Sequence, residues 1–97
     1  MTNLTYLSDL AGSLDMSIPN ATTPIISLYG PFNLSLSGSW SGGIMFQRSF
    51  NNGNTWKDVQ SFTCNTEQIG YGVGKRTIYR MKVSCAGSGT INIRINR

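Results

Sequence analysis

The stretch Gly43 to Val59, GIMFQRSFNNGNTWKDV, decides the fold. It reads as a strand, a reversal at Asn51-Asn52-Gly53-Asn54 and a returning strand that begins at Trp56, because asparagine and glycine accept the positive φ of a tight turn. That is a β-hairpin, and the remainder of the chain reads as more strands packed around it. On the first arm Ile44 and Phe46 share a face with Arg48, while Met45, Gln47 and Ser49 share the other. An arginine in an apolar row is expected at the rim or paired, with Asp58 and Glu67 as its partners.

Working outward towards the N-terminus, Phe32 to Gly38 alternates strictly. Phe32, Leu34 and Leu36 face a core, and Asn33, Ser35 and Ser37 face out. Ser39-Trp40-Ser41-Gly42-Gly43 is expected to turn the chain into the hairpin. Pro24 to Tyr29 reads as an earlier strand, ended by Gly30-Pro31. Met1 to Asn20 carries Leu4, Leu7, Leu10 and Leu14 at helix-like spacing, limited by Gly12 and Pro19. It reads as an N-terminal arm that lies across a neighbouring subunit, or as a flexible tail, leaving residues 21–97 as the β domain.

On the C-terminal side the returning strand continues through Val59 towards Phe62, and Thr63 to Gly74 reads as a glycine loop. Thr77 to Cys85 then places Tyr79, Met81, Val83 and Cys85 on one face and Ile78, Arg80, Lys82 and Ser84 on the other. After a turn at Ala86-Gly87-Ser88-Gly89, Ile91, Ile93 and Ile95 repeat the alternation. A second hairpin follows from this, presenting Arg80, Lys82, Asn92 and Arg94 as a positive stripe extended by Lys75 and Arg76. The same pattern is also that of an ordinary solvated β face with edge-protecting cations.

Ninety-seven residues make one domain that buries roughly 65% of the surface its unfolded chain exposes. Eleven glycines, many Ser, Thr and Asn, and short runs of β-branched and aromatic residues predict an all-β fold. We expect a compact β-sandwich or jelly-roll-like arrangement of about 6–8 antiparallel strands. Eight Lys or Arg against four acidic residues give a net charge of +4. That modest bias fits an acidic protein partner or a polyanion, or simply solubility. No apolar run of about 18 residues and no signal-peptide pattern is present, so neither a membrane span nor secretion is expected. Cys64 and Cys85 would close a loop of about 20 residues if oxidised; in a reducing cytoplasm two buried thiols are expected instead.

Catalytic chemistry is poorly supplied. The chain has no histidine, which removes Ser-His-Asp and Cys-His arrangements and histidine-ligated metals. Of the four carboxylates, Asp9 and Asp15 lie in the expected arm, so Asp58 and Glu67 alone are candidates for a glycosidase pair. Two lone cysteines do not make a zinc site. Gly70-x-Gly72-x-Gly74-Lys75 lacks the spacing and the following helix of a phosphate-binding loop. No catalytic residue, metal or cofactor is therefore expected. Nucleic-acid binding is disfavoured because Tyr79 falls on the face opposite Arg80 and Lys82. Tyr29, Trp40 and Tyr71 would serve as sugar-stacking platforms if exposed, or as core residues.

Ser49-x-Asn51-x-Gly53-x-Thr55-Trp56 resembles the Asp-box hairpin, S-x-D-x-G-x-T-W, of sialidase-like propellers, with Asn51 in place of Asp. In that family the motif is a folding device, and a neutral amide still accepts the bonds it requires. On a larger scale, from about Phe32 to Arg97, the order of parts resembles a group of small virion-associated proteins of tailed bacteriophages. Gln47-Arg48-Ser49-Phe50, Asn52-Gly53, Thr55-Trp56, Tyr79-Arg80, Ser88-Gly89-Thr90 and Arg94 carry the likeness. It implies a structural role in the virion, with a head decoration or cement protein favoured. Such a protein would be a homo-oligomer, with a trimer favoured, and would dock its positive stripe on the major capsid protein or another virion protein. The alternative is a tail-fibre or adhesin domain that binds glycans through exposed aromatics.

Overall fold

The structure, a computed structural model, describes residues 9–71 and 77–96. Six strands form one antiparallel sheet, and the described residues contain no helix. The expected all-β, sandwich-like architecture is what the chain adopts. Its centre is a ribbon of two long strands, β3 (Pro31–Ser49) and β6 (Thr77–Asn96), paired from Asn33↔Asn96 to Ser49↔Ile78.

A 20-residue strand laid out straight would run to roughly 65 Å at about 3.3 Å per residue. The chain measures 39 × 27 × 20 Å, so the ribbon folds over on itself. The fold-over lies where β3 and β6 slip register, between Ser41↔Ser88 and Ile44↔Val83. Three steps on β3 there oppose five on β6. Two surplus residues, rather than one, keep Met81 and Val83 on the same side of the strand as Ile91, Ile93 and Ile95. Both halves of the ribbon therefore turn one continuous apolar face inward.

Backbone contact at the corner is close. Gly42 and Gly89 have φ of 113° and 84°, and a Cβ on either would strike the carbonyl of Cys85 or Ser39 respectively. Met16, fully buried, fills the inside of the bend. Its N–H donates to the Gly89 carbonyl (3.0 Å), and its carbonyl accepts from Gly87 N–H (2.8 Å).

Shorter strands flank each half. β1 (Leu10–Asp15) and β5 (Thr66–Tyr71) complete one layer, β1-β6-β3-β5. β2 (Ile26–Leu28) and β4 (Lys57–Phe62) complete the other, β2-β6-β3-β4. Between them Phe32, Leu34, Leu36, Ile91, Ile93 and Ile95 meet Ile26, Leu28, Ile44, Phe46, Met81 and Val83. Burying each of these side chains contributes about 1.5–3 kcal/mol.

Several expectations are corrected. Residues 10–20 are not an arm: Leu10–Asp15 is a strand on β6, Leu10 and Met16 are buried, and Asn20 N–H donates to the Val83 carbonyl. The leucine spacing suggested a helix, but an empty edge of β6 offers backbone partners that an isolated short helix lacks. Residues 1–8 lie outside the described residues. Asp15 ends the strand in a side-chain turn, accepting from Ser17 N–H and Oγ, and these bonds hold its carboxyl below the ordinary range.

The expected turns at residues 39–43 and 86–89 are instead the corner of the ribbon, so β6 is one strand and not a hairpin. Residues 66–71 of the expected loop are β5, while 72–74 lie outside the described residues. The expected strand Pro24 to Tyr29 contracts to β2. Cys64 and Cys85 are exposed free thiols rather than buried ones. For Cys85 the cause is the register slip, which carries it out of the inward row.

The corner makes a paired prediction. Gly42→Ala or Gly89→Ala should destabilise the protein by roughly 2–4 kcal/mol, combining left-handed strain with overpacking. Gly12→Ala on β1, where nothing lies within 4 Å of the added methyl, should be neutral or up to about 1 kcal/mol stabilising. Urea midpoints at unchanged m-value measure both.

Candidate docking site

The hairpin that opens the sequence closes through side chains. Ser49, 2% exposed, accepts from Gly53 N–H (2.8 Å) and Asn51 N–H (3.3 Å) through its hydroxyl, which donates to Asn51 Oδ1 (3.0 Å). The same Asn51 oxygen accepts from Thr55 N–H (2.9 Å), and Asn51 Nδ2 donates to Thr55 Oγ1 (2.8 Å). Gly53 sits at φ 91° with Trp56 beneath it, 3.7 Å from where its Cβ would be. An aspartate would accept the first of these bonds and leave the Thr55 hydroxyl to donate the other.

Trp56 in turn supports Arg80. The guanidinium lies 4.3 Å above the indole ring, and its Nε donates to Gln47 Oε1 (2.8 Å). Gln47 Nε2 then donates to Asp58 Oδ1 (2.9 Å). Burial lowers the Arg80 pKa from the ordinary arginine value. Arg80 is thus a structural cation under the hairpin, and Asp58 is occupied by Gln47.

The expected positive stripe does not assemble. Arg80 and Lys82 belong to the half of β6 beside β2, whereas Asn92 and Arg94 belong to the half beside β1. Because the ribbon folds between them around a shared core, their outward faces point away from each other. Lys82 borders a shallow polar cup with Asn20, Met45 and Ser84. Arg94 and Asn92 border a broad trough of about 540 Å³ floored by Ser35, Ser37 and Gly12. Lys75 and Arg76 lie outside the described residues. The carboxylates Asp58 and Glu67 are likewise split between the two outward faces, Glu67 accepting from Ser35 Oγ (3.4 Å). Among the described residues no cluster of three or more His, Cys, Asp or Glu is placed to hold a metal.

A more distinctive feature lies at the end of the molecule away from the corner. There a cavity of about 310 Å³ opens between β4 and β5, each of which pairs with β3 on one side. Its floor is aromatic: Phe46 stacks on Tyr79 with centroids 5.0 Å apart and planes 6° from parallel, and Phe32 tilts against both at 5.8 and 6.0 Å. Gly70 gives Phe32 its room, since a Cβ there would collide with the ring. Val59, Ile69 and Tyr71 rim the mouth at 42%, 58% and 79% exposure. Gln60 and Gln68 face one another across it and exchange amide hydrogen bonds of 3.0 and 3.4 Å.

Arg48 forms one wall of this cavity. Its Nε is buried and has no hydrogen-bond partner, and its guanidinium lies 4.8 Å over the exposed Phe50 ring. The expected pairing with Asp58 or Glu67 is not made. The arginine in the apolar row was the sequence signal for this site. What sequence reasoning missed was the company it keeps, because Phe32, Tyr79 and Ile69 come from segments remote from it in the chain. Of the expected aromatic platforms, Trp40 packs against the core and donates through Nε1 to Asn65 Oδ1 (2.7 Å), and Tyr71 alone stands at the cavity.

No protein family, curated protein or solved structure matches this chain.

Two outcomes follow from this geometry. Asn51→Ala should cost about 1–3 kcal/mol by leaving Thr55 N–H and the Ser49 hydroxyl unpaired, while Asn51→Asp should stay within about 0.5 kcal/mol. Arg48→Met keeps the packing stem and removes an unpaired buried donor, so it should be neutral or stabilise by up to about 1 kcal/mol. Thermal and urea unfolding of the three variants check these values.

Proposed function

We propose that this chain is a structural protein of a tailed-bacteriophage virion, a head decoration or cement protein that docks on the major capsid protein without catalysing a reaction. The sequence likeness to small virion-associated proteins supports the class. The observation that carries the reading is the exposed apolar rim of Val59, Ile69 and Tyr71 around an aromatic-floored cavity. Apolar side chains gathered in this way at a concave opening mark an interaction surface.

This reading moves the contact from the cation stripe to the β4–β5 mouth. Arg80 is engaged with Trp56 and Gln47, and the remaining cations of the stripe are divided between opposite faces. A sheet folded rigidly on itself suits repeated docking to a lattice. Several linked copies, a trimer for instance, would gain avidity without each contact being strong.

The glycan-binding alternative retains Tyr71, whose 79% exposure leaves a ring face open. It loses Trp40, which is held in the structure. Cryo-electron microscopy of virions of the phage that encodes the chain separates the two. Symmetric copies on the capsid shell are expected. Density confined to the tail at low copy number turns the reading to an adhesin, and absence from the particle overturns it.

A further inference from the structure

We infer that the β4–β5 cavity receives a protein segment that presents a carboxylate beside a bulky apolar side chain, with Arg48 as the counter-ion. The inference starts from the unpaired Arg48 Nε. A buried donor without a partner is costly in a folded protein, and the side chain that carries it lines an open cavity rather than a closed core. The Nε itself is shielded, so a carboxylate in the cavity pairs with the charge of the guanidinium as a whole.

Chemistry and size narrow the ligand. The floor of Phe32, Phe46 and Tyr79 calls for an apolar group, and Arg48 calls for an acceptor, best a charged one. The cavity volume of about 310 Å³ stands at the lower end of small-ligand sites, room for one bulky side chain and its neighbour rather than for an oligosaccharide. A sugar would also need free polar partners, and the two glutamines at the mouth are bonded to each other. A nucleic acid would need cations in a track, whereas Arg80 and Arg94 lie on separate outward faces. A net charge of +4 favours an acidic partner over a basic one. That the segment belongs to a capsid protein rests on the function proposed above; the chemistry of the cavity does not.

The test uses the full chain and two blocked peptides, Ac-Gly-Phe-Glu-Gly-NH2 and its Gln counterpart, with 4-phenylbutyrate as a free acid of the same character. Amide shifts of Val59, Gln60, Gln68, Ile69, Gly70 and Tyr71 report binding by NMR. The Glu peptide should bind about 10-fold more tightly than the Gln peptide, the ratio that a charge-assisted bond of roughly 1.4 kcal/mol gives. In Arg48→Met, with a melting temperature at or above that of the parent, the two peptides should bind alike.

Equal affinity in the unmodified protein overturns the inference, and that comparison needs no variant to fold. So does the lack of any shift at about 10 mM peptide, a concentration that would half-saturate even a 10 mM site. Shifts confined to the Ser35–Arg94 trough overturn it as well, and phenylbutyrate binding far more tightly than the Glu peptide overturns the protein segment in favour of a free acid. Selective peptide binding by a protein absent from virions would reject the decoration role alone. Virion density without peptide selectivity would reject the present inference alone.

Discussion

The carbonyl of Ser39 occupies the place a side chain at Gly89 would take, and the carbonyl of Cys85 does the same at Gly42. This close approach of two backbones is the constraint on which the molecule depends. It lets a ribbon of two long strands close on itself in a few residues, with Met16 filling the bend, so that one inward row of side chains becomes both walls of a core. The same bend decides the far end. At the end away from the corner the two layers leave between them the cavity lined by Phe32, Phe46, Tyr79 and Arg48. Corner and cavity are two consequences of one fold-over.

Arg48 shows what such an opening does to the energetics. Elsewhere the polar groups under the hairpin are arranged in complete chains, from Trp56 to Arg80 to Gln47 to Asp58, and from Ser49 to Asn51 to Thr55. At the mouth the pattern breaks off, and a guanidinium nitrogen is left without an acceptor. A sequence optimised for stability alone would place Met or Leu in that row. An arginine there is the stability–function compromise that the proposed docking calls for.

Much of the fold was legible because strand alternation is a local signal. The inward rows Phe32, Leu34 and Leu36, Tyr79, Met81 and Val83, and Ile91, Ile93 and Ile95 could be read directly, as could the Ser49–Trp56 reversal. The corner was not legible. Runs such as Ser39 to Gly43 and Ala86 to Gly89 have the composition of turns, and only their pairing with each other makes them a bend within continuous strands. That single misreading doubled the hairpins, gathered cations that the fold separates, and placed Cys85 inside. The first strand was hidden for a related reason: the leucines between Leu4 and Leu14 fit a helical spacing, and the edge of β6 that captures Leu10–Asp15 is about eighty residues away in the chain. At the candidate site the anomaly of Arg48 was visible, but its aromatic surroundings arise from long-range pairing.

The long ribbon also imposes an order on folding. At its inner end Ser49 pairs with Ile78, 29 residues on (78 − 49), and at its outer end Asn33 pairs with Asn96, 63 residues on (96 − 33). Closing the longer loop first would cost roughly 0.7 kcal/mol more in chain entropy, and it would do so before any neighbouring pair had formed. The economical route begins at the inner end, where the side-chain-locked hairpin stands beside Arg80, and runs outward pair by pair. The corner and the part of β6 beyond it, with β1 on its edge, then form late. Until they do, the inward face of the first half is uncovered, and association with another chain competes with completion of the fold.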